Sequence, residues 1–344
     1  MPGSSTELET VSEALQQLCV EVRKQPIENS PSSKPKVVVI SGPTACGKSA
    51  FAMLLAKCIG GEIISADSMQ VYRQMDVGTA KPSVDEQLEI PHHLVDIQDL
   101  TSPYTVVDFF EAATTACQTV LQRGNIPIVV GGSGFYIHTL IYGPPQGPPP
   151  DPIVRKRLQE EMVQKGPKIL FDRLKRLDPE YAETITEGDK HKIVRALEII
   201  AVTGQKVSAI QWHERCQTNE FDFRCWFLYR PKQSLYQRIE TRCDQMITAG
   251  LVEETQSLLK AGLKENPAAS QSIGYRQCID FLNSEQTEQD YQNFVTKFKQ
   301  ASRNYAKRQF TWFRREPLFK WLDVDTHDFE NVMEIVTNDL SQLP

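Results

Sequence analysis

Nowhere in the 344 residues do about 18 apolar residues follow one another, so no membrane-spanning helix and no membrane partner are expected. The eight cysteines (Cys19, Cys46, Cys58, Cys117, Cys216, Cys225, Cys243 and Cys278) include no C-x-x-C pair. That spacing argues against structural zinc and a disulfide framework, and for a reducing, cytoplasmic setting. The six histidines form no metal-ligand pattern; His92-His93 is expected in a loop and is given no role. The N-terminus has no apolar signal core, and Glu7, Glu9, Glu13 and Glu21 make it too acidic for a transit peptide. With a net charge of −6 the chain is not basic as a whole, so any nucleic-acid contact must come from a local patch.

What is present is an alternation. Strand-like apolar runs stand at Val37–Ile40, Glu62–Ser65, Ile126–Val130, Cys225–Tyr229 and Phe319–Leu322, with helical patterns between most of them. The expected fold is α/β, a parallel sheet with helices on both faces; the G-x-x-x-x-G-K-[ST] loop at Gly42–Ser49 makes it phosphate-loop NTPase-like. "GPPQGPPPDP", Gly143–Pro152, is too proline-rich for a helix or a central strand. From Ile153 to about Gly204 the pattern is helical and charged. These features divide the chain into a flexible extension at 1–34, a core at 35–148 plus 212–344 that ends in helices, and a helical insertion at 149–211. Within the extension Leu8, Val11, Leu15, Leu18 and Val22 recur at helical spacing.

The first apolar run feeds Gly42-Pro43-Thr44-Ala45-Cys46-Gly47-Lys48-Ser49, which fits G-x-x-x-x-G-K-[ST]. In such a loop successive backbone N–H groups and a helix N-terminus cradle phosphate oxygens. Lys48 would reach the outer oxygens, and the Ser49 hydroxyl would ligate Mg²⁺, the expected cofactor. Cys46 reads as a small loop residue or, alternatively, a reactive thiol. The second strand delivers Asp67 to the carboxyl edge of the sheet, where α/β folds bind ligands. It could serve as a general base or Mg²⁺ ligand, or simply cap a turn. Ser68 and Gln70 could bond a polar ring. The third run ends in Gly131-Gly132-Ser133-Gly134, where many phosphate-loop hydrolases carry an acid. The missing acid weakens an ATPase reading but leaves a small-molecule kinase open. The glycines permit either close approach or an ordinary turn.

Acid is also missing from "KFKQASRNYAKRQFTWFRR", Lys297–Arg315, which holds seven Lys or Arg residues. Lys299, Arg303 and Lys307 share a helix face. The interleaved Tyr305, Phe310, Trp312 and Phe313 suit stacking on unpaired bases, or belong to the core. The lack of acid favours RNA. Arg155, His191, Lys192 and Arg195 are further basic candidates. Arg238 and Arg242, four apart, could clamp anionic oxygens or join Glu240 and Asp244 in a surface lattice.

Taken together, "GPTACGKS", "ISADSMQVYRQMDVGTAKP", "PHHLVDI", "VVGGSGFYIHTL", "IVRALEI", "SIGYRQ" and "YAKRQFTWFRR" resemble the tRNA dimethylallyltransferase (tRNA isopentenyltransferase) family from Val37 to about Asp323. Members transfer a dimethylallyl group from its diphosphate to N6 of the adenosine 3′ to the tRNA anticodon. The resemblance implies that the loop (Gly42, Pro43, Thr44, Ala45, Cys46, Gly47, Lys48, Ser49) holds dimethylallyl diphosphate rather than ATP. It implies a general base in Asp67, a wall for the flipped base in Ser68, Met69 and Gln70, and a diphosphate contact in Arg242. Ser133 stands where most members have Thr, keeping the hydroxyl. Gln271, Gly274 and Arg276, with Lys307, Arg308, Gln309, Trp312 and Arg314, match regions that touch the anticodon stem-loop. His191-Lys192 replaces a more arginine-rich segment. The extension before Lys34 is expected to have no counterpart in the family. A monomer is expected.

Overall fold

The computed structural model describes residues 34–145, 147–210 and 220–341. They form two compact units, one of 34–143 with 220–341 and one of 144–210. The helical spacing expected near Leu8 to Val22 lies outside the described residues.

The first unit is built on a six-stranded parallel sheet: β1 (Lys36–Ser41), β2 (Gly61–Ser65), β3 (His92–His93), β4 (Ile126–Gly131), β5 (Asp222–Tyr229) and β6 (Lys320–Asp323), in the order β3-β2-β4-β1-β5-β6. β1 is buried on both faces. Val38 and Ile40 enter one hydrophobic cluster and Val37 and Val39 the other, all at 0% exposure. That explains its unbroken apolar run; each such side chain contributes about 1.5–3 kcal/mol by burial. The five expected runs are all strands. β3 is a strand where a loop is expected: His92 and His93 lie beside Ile63 and Ile64 of β2, in a segment too short to leave an apolar pattern.

Four helices of this unit reach the phosphate loop. The loop helix, Lys48–Ile59, follows β1; the arginine helix, Lys232–Thr248, follows β5. The long helix, Glu288–Phe313, starts at Thr287 with a reciprocal capping box to Asp290, worth about 1 kcal/mol. It buries Phe294, Phe298, Ser302, Ala306, Gln309 and Phe313, a single stripe at helical spacing. The terminal helix, Phe329–Ser341, brings the ring of its first residue close to Gly47.

The second unit packs Pro152–Lys165, Pro167–Leu177, Pro179–Glu183 and Lys190–Thr203 around its own core of Leu158, Leu170, Leu174, Ile193 and Leu197. Pro152, read as part of the helix-free stretch, instead opens the first helix, where its missing N–H costs nothing.

Candidate functional site

β1 ends at Ser41, and the chain turns sharply toward the loop helix. Ala45 (φ 66°) and Gly47 (φ 103°) adopt the left-handed region that makes this turn. Gly42 is fixed by packing: a Cβ there would stand 2.4 Å from the carbonyl oxygen of Leu228. Cys46 is fully buried, which supports the small-residue reading over the reactive thiol. Ser49 opens onto a cavity of about 580 Å³. Lys48 lines the same cavity, its ammonium 3.5 Å from the Pro43 carbonyl oxygen. Burial lowers the Lys48 pKa; Arg242 adds to this, while Cys46 and Asp67 oppose it.

Three arginines hold the loop. Arg242 donates to the Thr44 hydroxyl (2.9 Å), Arg238 to the Ala45 carbonyl (3.0 Å) and Arg230 to the Cys46 carbonyl (2.9 Å). Arg230 is itself paired with Asp325. The acids beside Arg238 and Arg242 point elsewhere: Glu240 pairs with Arg303 (2.6 Å) and Asp244 with Lys299 (2.8 Å). The lattice exists, but it ties the arginine helix to the long helix and leaves Arg238 and Arg242 to the loop. It also corrects the reading of the basic face. Lys299 and Arg303 do have compensating acids, more than 50 residues away in sequence.

Asp67 follows β2. Its Oδ1 accepts from the backbone of Met69 (2.8 Å) and Gln70 (3.4 Å), so it caps a turn. Oδ2 is not used in that turn. Ser133, after β4, accepts through its hydroxyl from Ser68 N (3.3 Å), and the Tyr305 phenol bonds the same hydroxyl. Burial pushes Tyr305 up to about 12, and the negative charge of Asp67 adds to the shift. The glycines around Ser133 exist for close approach. A Cβ would stand 2.1 Å from Ala66 O at Gly131, 2.0 Å from Gln309 Nε2 at Gly132 and 2.4 Å from the Trp312 ring at Gly134. None of the three has a positive φ.

A second cavity of about 280 Å³ is also lined by Asp67, with Met69, Ile239, Met246, Ile273 and Phe298 among its walls. The two cavities share Thr44, Asp67, Thr79, Arg242 and Tyr305. A cationic cradle and a less polar chamber thus meet at one carboxylate.

Residues 70–316 match the family model "IPP transferase", and residues 35–102 match "Isopentenyl transferase". The chain is 52% identical to the tRNA dimethylallyltransferase of Protochlamydia amoebophila, over 98% of each chain. It is 46% identical to that of Chlamydia pneumoniae, over 84% of this chain and 85% of the other. The full-length tRNA isopentenylpyrophosphate transferase of Bacillus halodurans is 36% identical, with a TM-score of 0.65 over 89% of this chain and 95% of its own. A eukaryotic dimethylallyltransferase solved acting on tRNA is 28% identical, with a TM-score of 0.74 over 91% and 81%.

The chain belongs to the IPP transferase family. The match to the Protochlamydia protein, at 98% of this chain, takes in most of the first 34 residues, so that stretch does have a counterpart.

Around this IPP transferase core the expected RNA contacts divide. Lys307, Arg308, Trp312, Arg314, Gln271 and Arg276 are exposed, and Arg308 and Gln271 line the smaller cavity. Gly274 is buried against Phe298, and its φ of 94° starts a helix, so its place in the motif is conformational. Gln309 is only 4% exposed and turns inward. Gln70 spends its amide on Ser65, Thr79 and Ala80. In the second unit, Arg155 (2.7 Å) and Arg195 (3.0 Å) are both taken by the fully buried Glu198. Both arginines brace that unit, because a buried carboxylate without its partners is costly, while each side chain keeps part of its surface exposed. His191 and Lys192 remain exposed.

Other residues carry no sequence signal of their place here. Glu254 accepts from the backbone N–H groups of Asp76 (3.0 Å), Val77 (2.7 Å) and Gly78 (3.1 Å) and from the Tyr275 hydroxyl (2.6 Å). This clamp fixes the segment whose carbonyls orient Gln70. Tyr275 sits so close that a Cβ on Gly78 would meet its ring at 2.5 Å. His92, given no role, lines the larger cavity with Nδ1 held on Ile90 O at 2.7 Å. Burial lowers its pKa. Only the left-handed turn and glycine spacing of this site have a local sequence signal; the clamp joins Glu254 to backbone 176 to 178 residues away and to Tyr275, 21 residues away.

Proposed function

We infer that this protein transfers a dimethylallyl group from dimethylallyl diphosphate to N6 of the adenosine 3′-adjacent to the anticodon of a tRNA, releasing diphosphate. One observation carries the reading: Asp67 stands on the wall common to the loop cavity and the less polar chamber, with Arg242 and Thr44 beside it. A kinase would also need an acceptor site beside its phosphates; membership of the IPP transferase family is what favours prenyl transfer over phosphoryl transfer.

The chemistry follows from that arrangement. The exocyclic amine of adenine is a weak nucleophile because its lone pair is delocalised into the ring. Lys48, Arg242 and the loop amides hold the departing diphosphate and stabilise the charge it gains. Asp67 accepts the amine proton as the new C–N bond forms and the C–O bond to diphosphate breaks. Its turn fixes Oδ1, so the carboxylate need not reorganise. The oxygen donors Ser49 and Asp67 on one cavity suit Mg²⁺, which when bound would neutralise part of the diphosphate charge. The adenine must first leave its stack, at a cost of a few kcal/mol. Exposed Lys307, Arg308 and Trp312 are set to recover that cost through phosphate and ring contacts. We read the protein as acting as a monomer, since one stem-loop needs one such site.

Incubation with tRNA, Mg²⁺ and dimethylallyl diphosphate, followed by nucleoside mass spectrometry, should yield dimethylallyladenosine. Stabilisation by ATP but not by dimethylallyl diphosphate in a melting assay, with unmodified tRNA, would instead favour a kinase.

A further inference from the structure

The long helix carries exposed basic and aromatic side chains, and between them one amide that faces the other way. Gln309 lies in the buried stripe, 4% exposed. Its Oε1 accepts from Thr44 N at 2.9 Å, and its Nε2 donates to Gly132 O at 3.0 Å. It therefore spans the ends of β1 and β4, which are neighbours in the sheet. Gly132 makes room for it, since a Cβ there would stand 2.0 Å from Nε2. Thr44 is consequently held from two sides, its amide by Gln309 and its hydroxyl by Arg242. A backbone N–H has one hydrogen, so the amide of Thr44 is committed to Gln309 and not offered to phosphate. What Thr44 presents to the cavity is set by this strut.

We propose that Gln309 is a positioning residue for the diphosphate donor, holding Thr44 and hence Arg242 in place, and not a contact to RNA. This rests on the transfer reading above. It assigns to donor binding a residue inside the helix whose exposed face meets RNA.

Two variants test it. Gln309→Leu removes both hydrogen bonds while keeping an apolar filler. Gly132→Ala pushes the amide aside while leaving the helix sequence unchanged. For each we would measure the KM for dimethylallyl diphosphate, inorganic pyrophosphate binding to the free protein by calorimetry, and anticodon stem-loop affinity by anisotropy. KM and the pyrophosphate Kd should rise together by about tenfold, the effect of losing a hydrogen bond to an ordered group. RNA affinity should stay within about twofold. A fall in RNA affinity with donor constants unchanged would make Gln309 an RNA contact and overturn the assignment. A parallel loss in all three, with a lowered melting temperature, would overturn it in favour of a general packing role. If Gln309→Leu does not fold, Gly132→Ala carries the same comparison alone. If the wild-type protein transfers no dimethylallyl group, the transfer reading fails, and pyrophosphate binding still decides what Gln309 does.

Discussion

Asp67 caps a turn, as one of the alternatives had it, without being used up by that cap. One oxygen caps the turn at Met69 and Gln70, and the carboxylate still faces both cavities. Arg242 resolves in the same way, toward the loop and not toward its acidic neighbours. Replacing it with Ala should lower kcat/KM by about 10²–10³, as for other groups that meet charge developing in the transition state; a loss below tenfold in steady-state kinetics would remove it from that role. Lys48 gives a pH expectation. Its pKa is lowered from 10.5 by burial, with Arg242 contributing, so it loses its proton at a lower pH than an exposed lysine. Pyrophosphate affinity, followed by calorimetry from about pH 7 to 10, should therefore weaken as pH rises, before the ordinary lysine range is reached. Lys48→Arg should flatten that profile, because a guanidinium stays charged. An unchanged slope in the variant would mean another group titrates.

Among the elements, the long helix joins the loop to the surface proposed for RNA. Its basic face looks uniform in sequence, but Lys299 and Arg303 are neutralised by Asp244 and Glu240 while Lys307 and Arg308 are exposed. Stem-loop affinity plotted against salt should thus lose about one unit of slope on Lys307→Ala or Arg308→Ala, and almost none on Lys299→Ala or Arg303→Ala. The latter two should instead lower the melting temperature. Equal slope changes for all four would mean the ion pairs open on RNA. The Glu254 clamp is a second element-scale device. Glu254→Ala leaves three backbone donors unpaired and should destabilise by about 1–3 kcal/mol in urea unfolding, with Tyr275→Phe costing less.

At the scale of the molecule, the centre of the sheet is legible in the sequence because β1 and β4 are apolar on both faces, and an unbroken Val37-Val38-Val39-Ile40 has few other readings. The phosphate loop is legible because its residues are consecutive. β3 is not, since two histidines leave no periodic signal. Long-range pairing is not either: nothing local says that Asp244 answers Lys299, or that Glu198 consumes Arg155 and Arg195. The inward turn of Gln309 is within reach of a helical pattern. It falls in register with Phe298, Ser302, Ala306 and Phe313, but the surrounding charges draw attention to the opposite face. Resemblance of motifs identifies which segments matter; only the packing separates side chains that face a ligand from those that hold the site in shape.

One carboxylate shared by two cavities is the centre of the proposed chemistry. The direct measurement is dimethylallyl transfer to an anticodon stem-loop by Asp67→Asn, with stem-loop and pyrophosphate affinities taken on the same preparation. Asn keeps the turn-capping oxygen but cannot accept the amine proton. The expected result is a transfer rate lower by about 10²–10⁴ with both affinities retained. A variant that transfers at the wild-type rate would contradict the general-base role of Asp67 and the proposal built on it.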